Sequence, residues 1–262
     1  MNSDSTNKNS VNINKYISST GICSRRDAEK LIAEGKVTIN NTTAKLGNRV
    51  FEGDVVLING KPLKSKPKTL YIAFNKPVGI VSTTDSKEKK NIVKYINHPQ
   101  RLFPIGRLDK PSEGLIFLTN DGDIVNKILR AGNNHEKEYI VTVNKPITAD
   151  FIEKMSNGIP ILGTVTKKCK VEKINNFTFK IILVQGLNRQ IRRMCTFLNY
   201  EVTKLKRVRI MNVRLGNLKV GAWRELTIHE INTINNLISK SVKTEEASVD
   251  INKRFSKRKK KF

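Results

Sequence analysis

Phe103-Pro104-Ile105-Gly106-Arg107-Leu108-Asp109 places one carboxylate two residues after an arginine, between two proline-punctuated stretches. Nearby arginines hold an aspartate ionised, so it can act as a nucleophile at neutral pH. Alone, Arg-Leu-Asp reads as an ion pair beside a turn. Here a second basic cluster, Gln190-Ile191-Arg192-Arg193-Met194, follows far downstream. On either side of the aspartate lie apolar runs of strand length, residues 70–74 and 115–119, and residues 137–143 and 177–184 repeat the pattern. Helical signals fall at 123–131, at 149–156 and from Arg189 onward. Strands and helices do not alternate regularly, which predicts an α+β protein with a mixed sheet rather than a doubly wound one.

The 262 residues fit a mid-sized domain plus a small one. Forty-nine Lys and Arg against 23 Asp and Glu give a formal charge of +26, which calls for a polyanionic partner. Nucleic acid leads, because each neutralised phosphate releases counterions. A membrane surface would call for a basic amphipathic helix or a lipidation motif, and neither is found. No apolar run approaches 18 residues, and the first residues carry no apolar targeting segment, so a cytoplasmic location is expected. Cys23, Cys169 and Cys195 lack metal or disulfide spacing, and His98, His135 and His229 are scattered. No phosphate-binding glycine motif occurs, so neither cofactor nor metal is expected.

Residues 1–10 read as a disordered N-terminus and 11–64 as a compact module. Ile13, Tyr16 and Ile17 give helical spacing closed by Gly21. Ser24 with Asp27 reads as a capping box for a second helix, with Ala28, Leu31 and Ile32 inward and Gly35 as terminator. Short strands are expected at 37–39 and 55–58, with turns at Asn40-Asn41 and Asn59-Gly60. A Pro/Lys-rich stretch from Lys61 to Lys68 marks the boundary, with the linker at 65–69. Residues 70–240 form the larger domain. Residues 241–262 form a basic tail expected to be disordered.

Lys15, Arg25, Arg26, Lys30 and Lys36 lie on or beside the module's helices, either as a solvated face or as a phosphate-reading one. The segments Asn14-Lys15-Tyr16-Ile17, Gly21 through Glu29, Gly35-Lys36-Val37 and Gly53-Asp54 resemble the S4 RNA-binding domain in order and spacing. That resemblance favours phosphate reading. Asn41 stands where that family commonly has glycine, but asparagine tolerates the left-handed turn.

Beyond the linker the chain resembles the RsuA-type family of ribosomal RNA pseudouridine synthases. The matching segments are Asn75 through Thr84, Phe103 through Asp109, Ser112 through Gly122, Lys137-Glu138-Tyr139, Gly186 through Met194 and Trp223 through Thr227. The likeness is greatest to the RluF branch, which acts on large-subunit (23S) rRNA. It implies an S4 domain followed by a catalytic domain on a mixed, largely antiparallel sheet with flanking helices, active without a cofactor.

The resemblance further implies Asp109 as the essential carboxylate, Tyr139 as the active-site tyrosine, Arg192 as its carboxylate's basic partner and Ile191 as an apolar wall. Arg107 corresponds to the residue that fills the gap left by a flipped nucleotide. Arg189 and Arg193 read as phosphate contacts. Read without the family, Tyr139 is a core tyrosine in an apolar strand. Whether the aspartate attacks C1′, adds to the base or promotes elimination stays open, as does a tRNA or 16S substrate. A non-catalytic S4-type assembly factor is the competing function. A monomer is expected.

Removing residues 250–262 should weaken RNA binding evenly across sequences and shallow its salt dependence. Binding titrations at several salt concentrations check this, and an unchanged slope would mean the tail does not touch RNA.

Overall fold

The computed structural model describes residues 10–129 and 135–239. Residues 1–9 of the expected disordered N-terminus, the end of the helix expected at 123–131, and the basic tail lie outside the described residues. The chain divides into two compact units. One runs up to Leu70 and includes His98–Leu102; the other holds Tyr71–Asn97 and the chain from Phe103 onward.

In the first unit, α1 (Ile13–Ser19) buries Ile13 and Ile17. Helix α2 (Arg25–Ala33) starts at Ser24, whose Oγ accepts from the Asp27 amide at 3.1 Å. Asp27 answers by accepting from the Ser24 hydroxyl at 2.6 Å. Those hydrogen bonds, side chain and backbone, hold its carboxyl below the usual range. The helix ends where Gly35 turns left-handed at φ +69°. There the Gly35 amide donates to Ile32 O and the Lys36 amide to Leu31 O.

Strand β1 (Val11–Asn12) pairs with β4 (Arg49–Val50). A four-stranded sheet runs β3 (Thr42–Thr43), β2 (Val37–Ile39), β5 (Val56–Ile58), β6 (Lys61–Pro62). Asn40 and Asn41 join β2 to β3 with φ of 48° and 65°, so asparagine does hold the turn without glycine. Ile13, Ile17, Ala28, Ile32, Val37, Val50 and Val56 form one core.

The second unit is built on a nine-stranded sheet. Its path runs β13 (Lys170–Lys173), β14 (Thr178–Leu183), β10 (Lys137–Val143), β15 (Val202–Ile210), β9 (Glu113–Thr119), β7 (Tyr71–Lys76), β17 (Trp223–Glu225). Off this path, β8 (Phe103–Ile105) pairs with β9 and β16 (Val213–Arg214) with β15. A separate hairpin joins β11 (Pro160–Ile161) to β12 (Thr164–Val165). The helices are α3 (Ile92–Ile96), α4 (Gly122–Leu129), α5 (Ala149–Asn157), α6 (Gln190–Phe197) and α7 (Ile228–Ser239). The α+β class and largely antiparallel sheet are as the sequence predicts. The nine-residue β15 at its centre was not anticipated.

Strand β9 is buried from Gly114 through Thr119. Helices α4 and α7 close over its Leu115 and Phe117 with Ile124, Ile128, Ile234 and Ile238. Every pairing in this sheet is antiparallel except β9 with β15, where Glu113 faces Lys206 and Gly114 faces Arg207. Gly114 has φ +110°, and a Cβ there would lie 2.3 Å from the Arg207 carbonyl oxygen. Only glycine admits an approach that close.

Gly114→Ala should therefore lower stability by about 3 kcal/mol or more, combining backbone strain with overpacking. Urea unfolding measures it; an unchanged midpoint would contradict the close approach.

Candidate active site

Asp109 lies in the loop between β8 and β9, and that loop is held from several sides. Ser82 is buried; its hydroxyl donates to Leu108 O at 2.8 Å and accepts from the Leu108 amide at 3.2 Å. The Gly79 amide donates to Lys110 O at 2.8 Å and the Ser112 amide to Asp109 O at 3.0 Å. The loop backbone is thus fixed, while the Asp109 carboxylate keeps 34% of its side chain exposed.

Arg192 clamps the next residues. Its Nη2 donates to Pro111 O at 3.0 Å and Ser112 Oγ at 3.1 Å, and its Nη1 to Val202 O at 3.1 Å. Burial and neighbouring Arg189 pull its pKa below the usual arginine value, while Asp109 opposes them. The expected Arg192–Asp109 ion pair does not form: both Nη atoms serve those three acceptors, and the buried Nε has no partner. Among the described residues, the cation within ion-pairing distance of Asp109 is Arg189, at 4.0 Å. Arg189 precedes α6 in a left-handed conformation, φ +49°, uncommon for a residue other than glycine.

Ile191 is buried in the first turn of α6. Arg193 is exposed and turns back on Asn188, donating to its O at 3.0 Å and its Oδ1 at 3.2 Å. Arg107 is exposed two residues before Asp109. Tyr139, half-buried on β10, faces Arg207 across the β10–β15 ladder. The Arg207 Cζ lies 6.0 Å from the Tyr139 ring centroid. Arg25 and Arg26 are exposed on α2 and Lys15 is partly buried on α1, all three in the first unit.

Ser82, Lys76 and Arg207 were not singled out from the sequence. Lys76 ends β7 fully buried and donates to Pro77 O and Ile80 O, both at 2.8 Å. Burial pushes its pKa down to about 8, opposed by Asp109 and Glu113 and reinforced by Arg207. Its signal was a lysine that follows the apolar run of residues 70–74 and Asn75, immediately before Pro77. Lys137, two residues before Tyr139, is also drawn down to about 8 by burial and Arg207. A fixed, partly exposed carboxylate thus lies beside Arg189, and the Tyr139 ring beside Arg207, whose Nη1 reaches the Arg107 carbonyl two residues before Asp109.

The RNA pseudouridylate synthase family model matches residues 70–197, and the S4 domain model matches residues 11–56. A Salmonella typhi protein named dual-specificity RNA pseudouridine synthase RluF is 60% identical over 234 residues, covering 88% of this chain and 81% of its own. The Escherichia coli K12 protein of the same name matches at the same identity and coverage. The Bacillus subtilis ribosomal large subunit pseudouridine synthase B is 34% identical over 234 residues, covering 86% of this chain and 96% of its own. A crystal structure of a pseudouridylate synthase superposes with a TM-score of 0.64 at 28% identity, covering 86% of this chain and 99% of that one. Fold and matches together define the class: an RNA pseudouridine synthase with an S4 domain. Within that class, the chain belongs to the RluF family.

Between pH 8 and 10 the unfolded chain keeps protons on Lys76 and Lys137 that the folded one releases, since both folded pKa values fall to about 8. Stability should therefore rise with pH across that window, by at most about 2 kcal/mol per lysine. Higher still, Tyr71, whose phenol is pushed up by burial and Asp121, acts in the opposite sense. Lys76→Met should flatten the rise in urea-unfolding profiles; an unaltered slope would contradict the burial cost.

Proposed function

We propose that Asp109 is the catalytic carboxylate of an isomerisation that converts a uridine in large-subunit (23S) ribosomal RNA to pseudouridine. The observation that carries this reading is the Asp109 loop: its backbone is pinned at Leu108, Asp109, Lys110 and Pro111 while the carboxylate stays accessible beside a cation. Pre-set geometry of that kind removes much of the entropic cost of bringing a nucleophile to its target. The reaction breaks the N1–C1′ bond and joins C1′ to C5 with no net redox change, so it calls for no cofactor.

In this reading Tyr139 stacks on the target base, with its phenol near the departing C5 proton. Arg189 lies beside the Asp109 carboxylate without competing as a base, since an arginine does not lose its proton. Arg192 fixes the loop that carries Asp109, and Ile191 supplies an apolar wall. Arg107, exposed at the loop's start, fills the space a flipped nucleotide vacates. Flipping costs a few kcal/mol, which contacts to the extruded base and its phosphates offset. Lys15, Arg25 and Arg26 read phosphates from the S4 domain at 11–64, beyond the linker at 65–69, and Arg193 does so beside the catalytic centre in the domain at 70–240.

The large subunit is the favoured target because the Bacillus subtilis relative is named for it. The dual-specificity relatives support a second RNA, for which we propose tRNA. Among the described residues no helix is long and apolar enough to cross a membrane. A monomer working in the cytoplasm, where its RNA resides, fits this account.

Pseudouridines should be compared in 23S, 16S and tRNA from cells with and without the gene. Loss of one 23S site and one tRNA site on deletion is expected. An unchanged 23S map would overturn the assignment of the target.

A further inference from the structure

Arg207 is the least expected residue of the catalytic unit. It sits on the central strand with 4% of its surface exposed, at an inward position where neighbouring Leu205 and Ile210 pack as core. No carboxylate lies within ion-pairing distance of it among the described residues. Burying an unpaired cation costs several kcal/mol, so a purely structural role would be better served by an apolar side chain.

Its donors are unevenly used. Nε donates to Leu115 O at 2.6 Å and anchors the guanidinium to β9. Nη1 reaches Arg107 O at a long 3.5 Å, Cζ lies 6.0 Å from the Tyr139 ring centroid, and the buried Nη2 has no partner. One end is therefore fixed, and the other touches both halves of the site at the outer limit of contact. Hydrogen bonds that serve catalysis are often long before the substrate binds and tighten in the reacting complex.

We infer that Arg207 is a positioning residue for the isomerisation, tying the Tyr139 ring to the turn that carries Asp109. The inference rests on the roles proposed above for those two residues. The guanidinium supports the ring on the side where Arg207 lies. Through the Arg107 carbonyl it also fixes the residue two before Asp109. The same cation helps draw down Lys76 and Lys137, which is consistent with its closeness to the site's other buried charges.

Single-turnover pseudouridine formation and RNA affinity should be measured for wild type, Arg207→Met, Arg207→Lys, Tyr139→Leu, the Arg207→Met/Tyr139→Leu double variant and Asp109→Asn. Arg207→Met should slow turnover by roughly tenfold to a hundredfold, the size expected from small misplacement of reacting groups, with RNA affinity within about twofold. Arg207→Lys should recover only a minor part, because one ammonium cannot serve the Leu115 carbonyl, the Arg107 carbonyl and the ring together. Once the ring is gone in Tyr139→Leu, adding Arg207→Met should cost less than it does in wild type. Wild-type turnover in Arg207→Met, or strictly additive losses, would overturn the inference. Unfolding of both Arg207 variants would overturn it too, since stability would then explain the residue. An active Asp109→Asn would instead sink the reading of the site itself, whereas an inactive one beside fully active Arg207 variants would sink this inference alone.

Discussion

The parallel contact of Gly114 with Arg207 is the constraint on which the rest of the catalytic unit depends. It joins two antiparallel halves of one sheet. On one side lie β7, β8 and β9, with the loop that holds Asp109; on the other lie β10, β14 and β15, with Tyr139. A side chain at position 114 would separate the strands, and the aspartate and the tyrosine would then belong to different frames. Arg192 repeats the link at the loop's edge by bonding both Pro111 and Val202.

Charge is organised around this junction in an unusual way. Lys76 and Arg207 are almost entirely buried and Lys137 is drawn down by burial, yet among the described residues none of the three has a carboxylate within ion-pairing distance. Taken alone such an arrangement is costly. It is reasonable in an enzyme whose substrate is RNA and brings phosphates, in a chain of formal charge +26.

Much of this was legible in advance. Alternation and turn residues located β2, β9, β10 and β14 to within about two residues, and Ser24 with Asp27 announced α2 because a cap is a local interaction. Strand β15 escaped notice for a physical reason. Lys204 and Lys206 occupy outward positions, Arg209 is largely buried in ion pairs with Glu136 and Glu138, and Arg207 takes an inward position, so the apolar alternation is broken just where function needs a buried cation. The motif around Asp109 marked the carboxylate, but its nearest cation could not be read from spacing. Whether Arg189 or Arg192 reaches Asp109 depends on the left-handed turn before α6 and on the competing carbonyls at Pro111 and Val202.

The most direct measurement is pseudouridine mapping on purified 23S RNA after incubation with wild-type protein and with Asp109→Asn. The account predicts a defined pseudouridine with wild type and none with Asp109→Asn, although both bind the RNA. Product from Asp109→Asn, or tight binding by wild type without any product, would contradict it.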